Sequence, residues 1–311
     1  MLSSLRREEN HLKVLAAIGV ILAGLGVLAA AAFAGAVWMG ERKLERFVEV
    51  KVVPVPFAKG AAPLKLGRYL FESRGCAECH AADGHGLAFI DAPSGLYVKS
   101  PDITTGAGGV VADYTEGDWV RAIRHGVNPA GHALMVMPSG DYAGMSDGDL
   151  AALVAYVRSL PPAAGSGTQI RLPLLVKALY GVGVIHDAAE TIDHRRHPTP
   201  DMAPAATAAY GEYVVQMCTG CHRPDLTGGP IAGAPPEWPA AARLVPGPGY
   251  VMGRYDTLEK FAAMMRGGKR PDGSAVSTVM PFASFRNLDD TDLGALYAYL
   301  TTPPGERAAR P

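Results

Sequence analysis

Apolar and polar positions along this chain fall into three regimes. The first is continuous: residues 14–39 carry no charge and are almost wholly apolar. At about 1.5 Å per residue such a helix crosses roughly 30 Å of hydrocarbon with some tilt. The second regime is amphipathic and comes in pairs. Leu66-Gly67-Arg68-Tyr69-Leu70 and Tyr210-Gly211-Glu212-Tyr213-Val214 predict short helices, and residues 114–126 and 255–268 predict longer ones. Two terminal helices carry Tyr156 and Tyr299 at the same place, and each opens on paired carboxylates, Asp147 with Asp149 and Asp290 with Asp292. Carboxylates suit a helix N-terminus, where unpaired N–H groups point outward. The third regime is proline-rich. Residues 52–63 read as an extended, semi-stiff spacer, and residues 161–204 as a connector with a short helix at 172–179.

The paired elements are parts of a duplicated unit. Trp119 corresponds to Phe261, Arg124 to Arg266, and Pro129-Ala130-Gly131 to Pro271-Asp272-Gly273. The stretch from Met137-Pro138 onward matches the stretch from Met280-Pro281 onward without a gap. Gly67 and Gly211 stand at equal places in the first helices. Without a Cβ they admit a close neighbour, and Tyr156 and Tyr299 are expected to pack there.

Composition narrows the chemistry. A net charge of -1 argues against a nucleic-acid partner. With 37 glycines and 25 prolines, much of the chain is expected to be loop, as suits a fold whose core is partly a large flat cofactor. All four cysteines fall in two copies of one motif, Cys76-Ala77-Glu78-Cys79-His80 and Cys218-Thr219-Gly220-Cys221-His222. C-x-x-C-H is the attachment signature of c-type haem. Two thiols about one helical turn apart reach two vinyl groups on one haem edge, and the next His offers a ring nitrogen to the iron. Disulfides would leave the His after each second Cys unexplained. A zinc site would place its two C-x-x-C pairs much closer in sequence. Two haem c groups are therefore expected, on Cys76 and Cys79 and on Cys218 and Cys221.

His80 and His222 supply one axial ligand each. For the other position the first unit offers Met135, Met137, Met145, His85, His125 and His132. The duplication selects among them, because only Met137 recurs, as Met280, each before a proline. Met145 aligns with Leu288 and reads as a core residue; Met217 has no counterpart and reads as packing. Met/His ligation raises the potential and suits electron transfer. His186, His194 and His197 read as surface or loop residues. Arg124 and Arg266 are equally readable as partners of haem propionates and as solvated helix arginines.

The two Cys-x-x-Cys-His units, each followed by Met-Pro and a terminal Ala-Tyr helix, resemble di-haem class I cytochromes c. Ser100-Pro101-Asp102-Ile103-Thr104 and residues 121–126 and 137–162 are similar to the cytochrome subunits of periplasmic alcohol, sugar-acid and aldehyde dehydrogenases. The resemblance spans residues 64–305. It implies an electron-transfer role, Met/His haems and a respiratory partner; the commonest subunits of that group carry three motifs, and this chain has two.

The expected fold is all-α: an N-terminal transmembrane helix followed by two tandem cytochrome c-type domains. The expected order is a cytoplasmic N-terminus (1–13), anchor (14–39), tether (40–63), first domain (64–162), connector (163–204) and second domain (205–305). A signal peptide is the competing reading of the first segment, but its apolar run is usually about 7–15 residues. Basic residues flank the run on both sides, Arg6, Arg7 and Lys13 against Arg42, Lys43, Arg46 and Lys51, and leave orientation open. Haem attachment of this type is completed outside the cytoplasm, which puts the N-terminus inside and the haem domains in the periplasm, on the inner membrane. The expected function is electron transfer between a dehydrogenase or quinol-linked donor and a soluble cytochrome or terminal oxidase. The alternative is a di-haem peroxidase or thiol-oxidising enzyme with one haem lacking a Met ligand.

Overall fold

The uncharged run predicts a helix, and the computed structural model has one of 43 residues, α1 (Leu2–Leu44). The model describes residues 2–231, 234, 237–303 and 306. Residue 1 and the expected end of the second domain at residue 305 lie outside the described residues. Helix α1 outruns residues 14–39 because good helix formers flank the apolar stretch on both sides. Among the described residues it is the one helix long and apolar enough to cross a membrane.

After α1 come α2 (Ala61–Ser73), α3 (Cys76–His80), β1 (Ala88–Asp91), β2 (Tyr97–Lys99), α4 (Glu116–His125), α5 (Ser139–Tyr142) and α6 (Asp147–Ser159). Then follow β3 (Gln169–Arg171), α7 (Leu174–Gly181) and α8 (Ala188–Thr191). The second repeat holds α9 (Ala208–Val214), α10 (Thr219–His222), α11 (Leu258–Gly267), α12 (Phe282–Phe285) and α13 (Asp290–Thr301). The chain forms two compact units, Met1–Arg46 with Leu172–Ile185, and Phe47–Arg171 with His186–Pro311.

The caps explain where the repeat helices begin. Thr115 and Asp118 close a reciprocal capping box on α4. Thr257 caps α11, Ser146 caps α6 and Asp289 caps α13, each accepting a backbone N–H from three residues on. Helices α4 and α11 both stop at a left-handed glycine, Gly126 (φ 64°) and Gly268 (φ 65°).

Each repeat has its own core. Leu70, Phe71, Trp119, Leu150, Leu153 and Val154 form the first, and Tyr210, Val214, Phe261, Leu293 and Leu296 the second. The first and last helices of each repeat cross where the two glycines predicted close contact. A Cβ on Gly67 would stand 2.7 Å from Tyr156 Cβ, and one on Gly211 would stand 2.7 Å from Tyr299 Cβ.

Three features depart from the sequence reading. A small antiparallel sheet, ordered β1-β2-β3, adds to the helical fold. Its strands are three or four residues long, too short for an alternating pattern to register, and β3 comes from the segment read as connector. The spacer is extended only as far as Gly60, because α2 begins at Ala61, and it is not free. Val50 and Val55 are buried, Val48 N–H donates to Gly131 O at 2.7 Å, and the Arg158 guanidinium stacks 3.8 Å over Phe57. The connector helix forms two residues later than expected, at Leu174–Gly181.

Candidate haem sites

Each Cys-x-x-Cys-His motif is a short helical turn. Residues 76–80 form α3, and residues 215–222 form a 3₁₀ turn running into α10. Both turns end on a non-glycine residue with left-handed φ directly after the His, Ala81 at 62° and Arg223 at 68°. Such conformations cost about 1–3 kcal/mol and persist where the surroundings over-determine them. Here they reverse the chain so that Gly86 N–H donates to His80 O at 3.0 Å and Gly228 N–H to His222 O at 3.0 Å.

The two imidazoles are oriented alike. His80 Nδ1 lies 3.1 Å from Pro101 O, and His222 Nδ1 lies 2.8 Å from Ala242 O. A carbonyl can only accept, so Nδ1 carries the proton and Nε2 keeps its lone pair for a metal. Burial holds both rings below the ordinary His value, against those carbonyls, which raise it. Pro101 is placed by its neighbours. Ser100 Oγ donates to Cys79 O and receives Leu87 N–H at 3.0 Å, and Asp102 N–H donates to Ser166 O at 2.9 Å. Neither carbonyl was readable from sequence, since any residue can offer one.

Met137 and Cys76 pack against the first core, Met280 and Cys218 against the second. Met145 is buried in the first core and Met217 packs on the second, as their alignment suggested. His85 is exposed and pairs with Asp83 at 2.5 Å. His125 and His194 meet at Nδ1–Nδ1 3.0 Å, and His194 is a half-buried loop residue. Burial, then the neighbouring His194, push His125 down to about 4. Arg124 and Arg266 also differ. Arg266 is exposed and pairs with Asp290 at 2.6 Å, whereas Arg124 is buried and pairs with Asp147 at 2.8 Å.

The first repeat contains three buried donor atoms without a protein partner, Trp119 Nε1 and Arg124 Nε and Nη2. Buried donors want an acceptor. A porphyrin's propionates are one, so these residues fit haem. The thiols fit thioether formation better than thiolate coordination. Burial pushes Cys76 and Cys218 up to about 12 and Cys79 up to about 11. Among the described residues no cluster of three or more His, Cys, Asp or Glu could hold an ion directly.

The repeats meet in matched contacts that the sequence reading missed. Tyr69 Oη donates to Asp292 at 2.5 Å and receives Asp289 N–H at 3.2 Å. Its counterpart Tyr213 donates to Asp149 at 2.6 Å and receives Ser146 N–H at 3.1 Å. Each first helix thus seals the start of the other repeat's last helix. The match breaks at one place. Arg74 Nη2 pairs with Asp292 at 2.6 Å, while Gln216 holds the corresponding position beside Gly144. Burial therefore raises Asp149, against the Tyr213 hydroxyl.

Each attachment motif also touches the other repeat's short helix after Met-Pro. Asp141 on α5 accepts Gly220 N–H at 2.7 Å and Thr219 Oγ1–H at 3.3 Å. Glu78 Oε1 in the first motif accepts Ser284 N–H at 2.9 Å. Burial raises Asp141 from 3.8 to about 7, against those two donors. The native fold then holds a proton that the unfolded chain releases between those values. Its contribution to stability is full below 3.8 and disappears as pH rises through about 7. Asp141→Asn keeps an acceptor for Gly220 and is expected to flatten that fall, read as the urea midpoint across the window.

A duplicated helical unit, with one thiol pair and one carbonyl-oriented His per copy, defines a two-domain haem protein. The chain belongs to the cytochrome c family, whose model matches residues 64–161 and 208–303, and its cofactors are two haem c groups. It is 30% identical over 175 residues to the gluconate 2-dehydrogenase cytochrome c subunit of Pantoea cypripedii, covering 52% of this chain and 38% of that one. It is 28% identical over 274 residues to the cytochrome c subunit of the quinone alcohol dehydrogenase of Gluconacetobacter polyoxogenes, covering 78% and 56%. A diheme cytochrome c-type protein of Cereibacter sphaeroides is 32% identical over 155 residues, covering 46% and 48%. The chain spans about half or less of the length of these relatives.

Proposed function

We propose that the chain is an electron-transfer subunit that takes electrons from a membrane-bound dehydrogenase or quinol-oxidising complex and passes them to a soluble cytochrome or terminal oxidase. Haem c, when bound, supplies a one-electron iron couple. Cys76 and Cys79 would hold one haem and Cys218 and Cys221 the other, with His80 and Met137, and His222 and Met280, as the side chains offered to the two irons. The observation that carries this reading is the repeated His-to-carbonyl bond, which fixes the same ring nitrogen for iron in both repeats. Trp119 and Arg124 would offer their buried donors to propionate charge in the first repeat. The second repeat has the buried Phe261 and an exposed Arg266 at those places and would offer its haem no such buried pair of donors. The Asp141–Gly220 and Glu78–Ser284 contacts hold the two attachment motifs against opposite repeats. Helix α1 anchors the chain in the inner membrane with its N-terminus inside and the haem domains periplasmic. The names of the relatives support a dehydrogenase partner.

The test is the oxidised absorption spectrum. Met137→Ala and Met280→Ala are each expected to remove part of the weak far-red Met–iron band and to lower the potential of one haem. The double variant is expected to lose the whole band. A high-spin spectrum in the unmutated protein would overturn Met ligation. The donor is tested by what co-purifies with the detergent-extracted chain.

A further inference from the structure

Residues 172–185, Leu-Pro-Leu-Leu-Val-Lys-Ala-Leu-Tyr-Gly-Val-Gly-Val-Ile, carry a single charge, Lys177. They lie in sequence between the two cytochrome c repeats, yet they form one compact unit with α1. Helix α7 crosses α1 through glycines. A Cβ on Gly181 would stand 2.2 Å from Ala36 O, and one on Gly40 would stand 2.1 Å from Lys177 O. Small residues that bring two backbones together are the usual means of packing helices inside a bilayer. Polar bonds close the joint on one side. Lys43 Nζ donates to Tyr180 O at 2.9 Å, Arg46 Nη1 to Tyr180 Oη at 2.5 Å, and Lys177 pairs with Glu41 at 2.9 Å.

The remaining surface of this segment is apolar and exposed: Leu174 58%, Leu175 60%, Val182 54% and Val184 63%. Four exposed large aliphatics, two at each end of so short a helix, are unusual on a surface that faces water. Trp38 on α1 is exposed as well, and Arg42, Lys43 and Arg46 follow within two turns. An aromatic ring followed by cations is the pattern of a membrane–water boundary.

We propose that residues 172–185 are a second membrane contact, with α7 lying in the lipid headgroup and acyl boundary at the C-terminal end of α1. The inference rests on α1 being a membrane span. Gly181 packs on Ala36, which belongs to the uncharged run 14–39, so a helix seated there is already at bilayer depth. An apolar face about 5–10 Å into the boundary is the ordinary seat of an interfacial helix. The chain between the two cytochrome repeats then dips into the membrane surface and returns.

The test uses the full-length protein in vesicles of phosphatidylethanolamine and phosphatidylglycerol, doped with a phospholipid bearing a diazirine in its acyl chain. After photolysis, lipid adducts are mapped by mass spectrometry of peptides. Adducts are expected in both 14–39 and 172–185. Adducts in 14–39 alone overturn the inference and leave the anchor standing. Adducts in neither segment overturn both. The double variant Leu175→Glu, Val184→Glu is expected to lose the adducts in 172–185 while keeping those in 14–39 and the haem absorption spectrum. Unchanged labelling of 172–185 in that variant also overturns the inference.

Discussion

Asp292→Ala is expected to destabilise the joined repeats by about 3–5 kcal/mol, the range for removing one partner of a buried ion pair. Asp292 is 1% exposed and accepts from both Arg74 and Tyr69, two groups that belong to the other repeat. Burial works against the Arg74 charge, and Asp292 with Tyr69 more than offsets it, so Arg74 stays cationic. Without Asp292 that guanidinium keeps its charge beside neutral groups, Ser73 Oγ at 3.2 Å and the Tyr69 ring at 5.6 Å. Asp149→Ala removes the matching acceptor without stranding a cation. Its expected cost is about 1–3 kcal/mol, that of one unsatisfied buried hydroxyl. Urea titrations of the two haem-loaded variants measure the contrast. Equal losses would sink the asymmetry. A double variant, Arg74→Met with Asp292→Leu, is expected to recover much of the loss, because an apolar pair of similar volume leaves no buried charge.

Gly211→Val is expected to prevent stable folding of the second repeat, and Gly67→Val of the first. Even one methyl on Gly211 would lie 2.0 Å from Ala295 O, and on Gly67 2.0 Å from Ala152 O. Those neighbours are helix backbone, which cannot turn aside as a side chain can. Overpacking of a dense core costs about 1–3 kcal/mol where side chains yield, and more where they do not. Against a typical domain stability of about 5–15 kcal/mol, that is enough to expose one haem pocket. The readout is the ratio of covalently bound haem to polypeptide by intact mass. A ratio matching the unmutated chain in both variants would show that the helices can separate without harm. Gly267→Ala serves as a control, since nothing lies within 4 Å of its added Cβ.

Much of the repeat architecture could be read along the chain because its signals are local. The attachment motifs, the carboxylates that open the two terminal helices, Asp147 with Asp149 and Asp290 with Asp292, and the paired glycines and tyrosines depend on spacing within one helix or turn. The duplication also read Met145 and Met217 as packing residues, and the structure sets one in the first core and the other against the second. Other features were illegible for equally physical reasons. Pro101 and Ala242 orient the histidines through main-chain oxygens, which every residue possesses. Arg124 and Arg266 occupy equal places in the repeat, yet one is buried and the other exposed.

The sequence by itself determined a long apolar helix, two copies of a haem-attaching helical unit and the cytochrome c class. These follow from periodicity, chemistry and repetition over short distances. Only the tertiary structure decided which surfaces the units share. Tyr69 with Asp292, Tyr213 with Asp149, and Gly181 with Ala36 are each joined across more than sixty residues of chain. Such pairings are selected by the shape and burial of whole surfaces, and no local pattern along the chain encodes them.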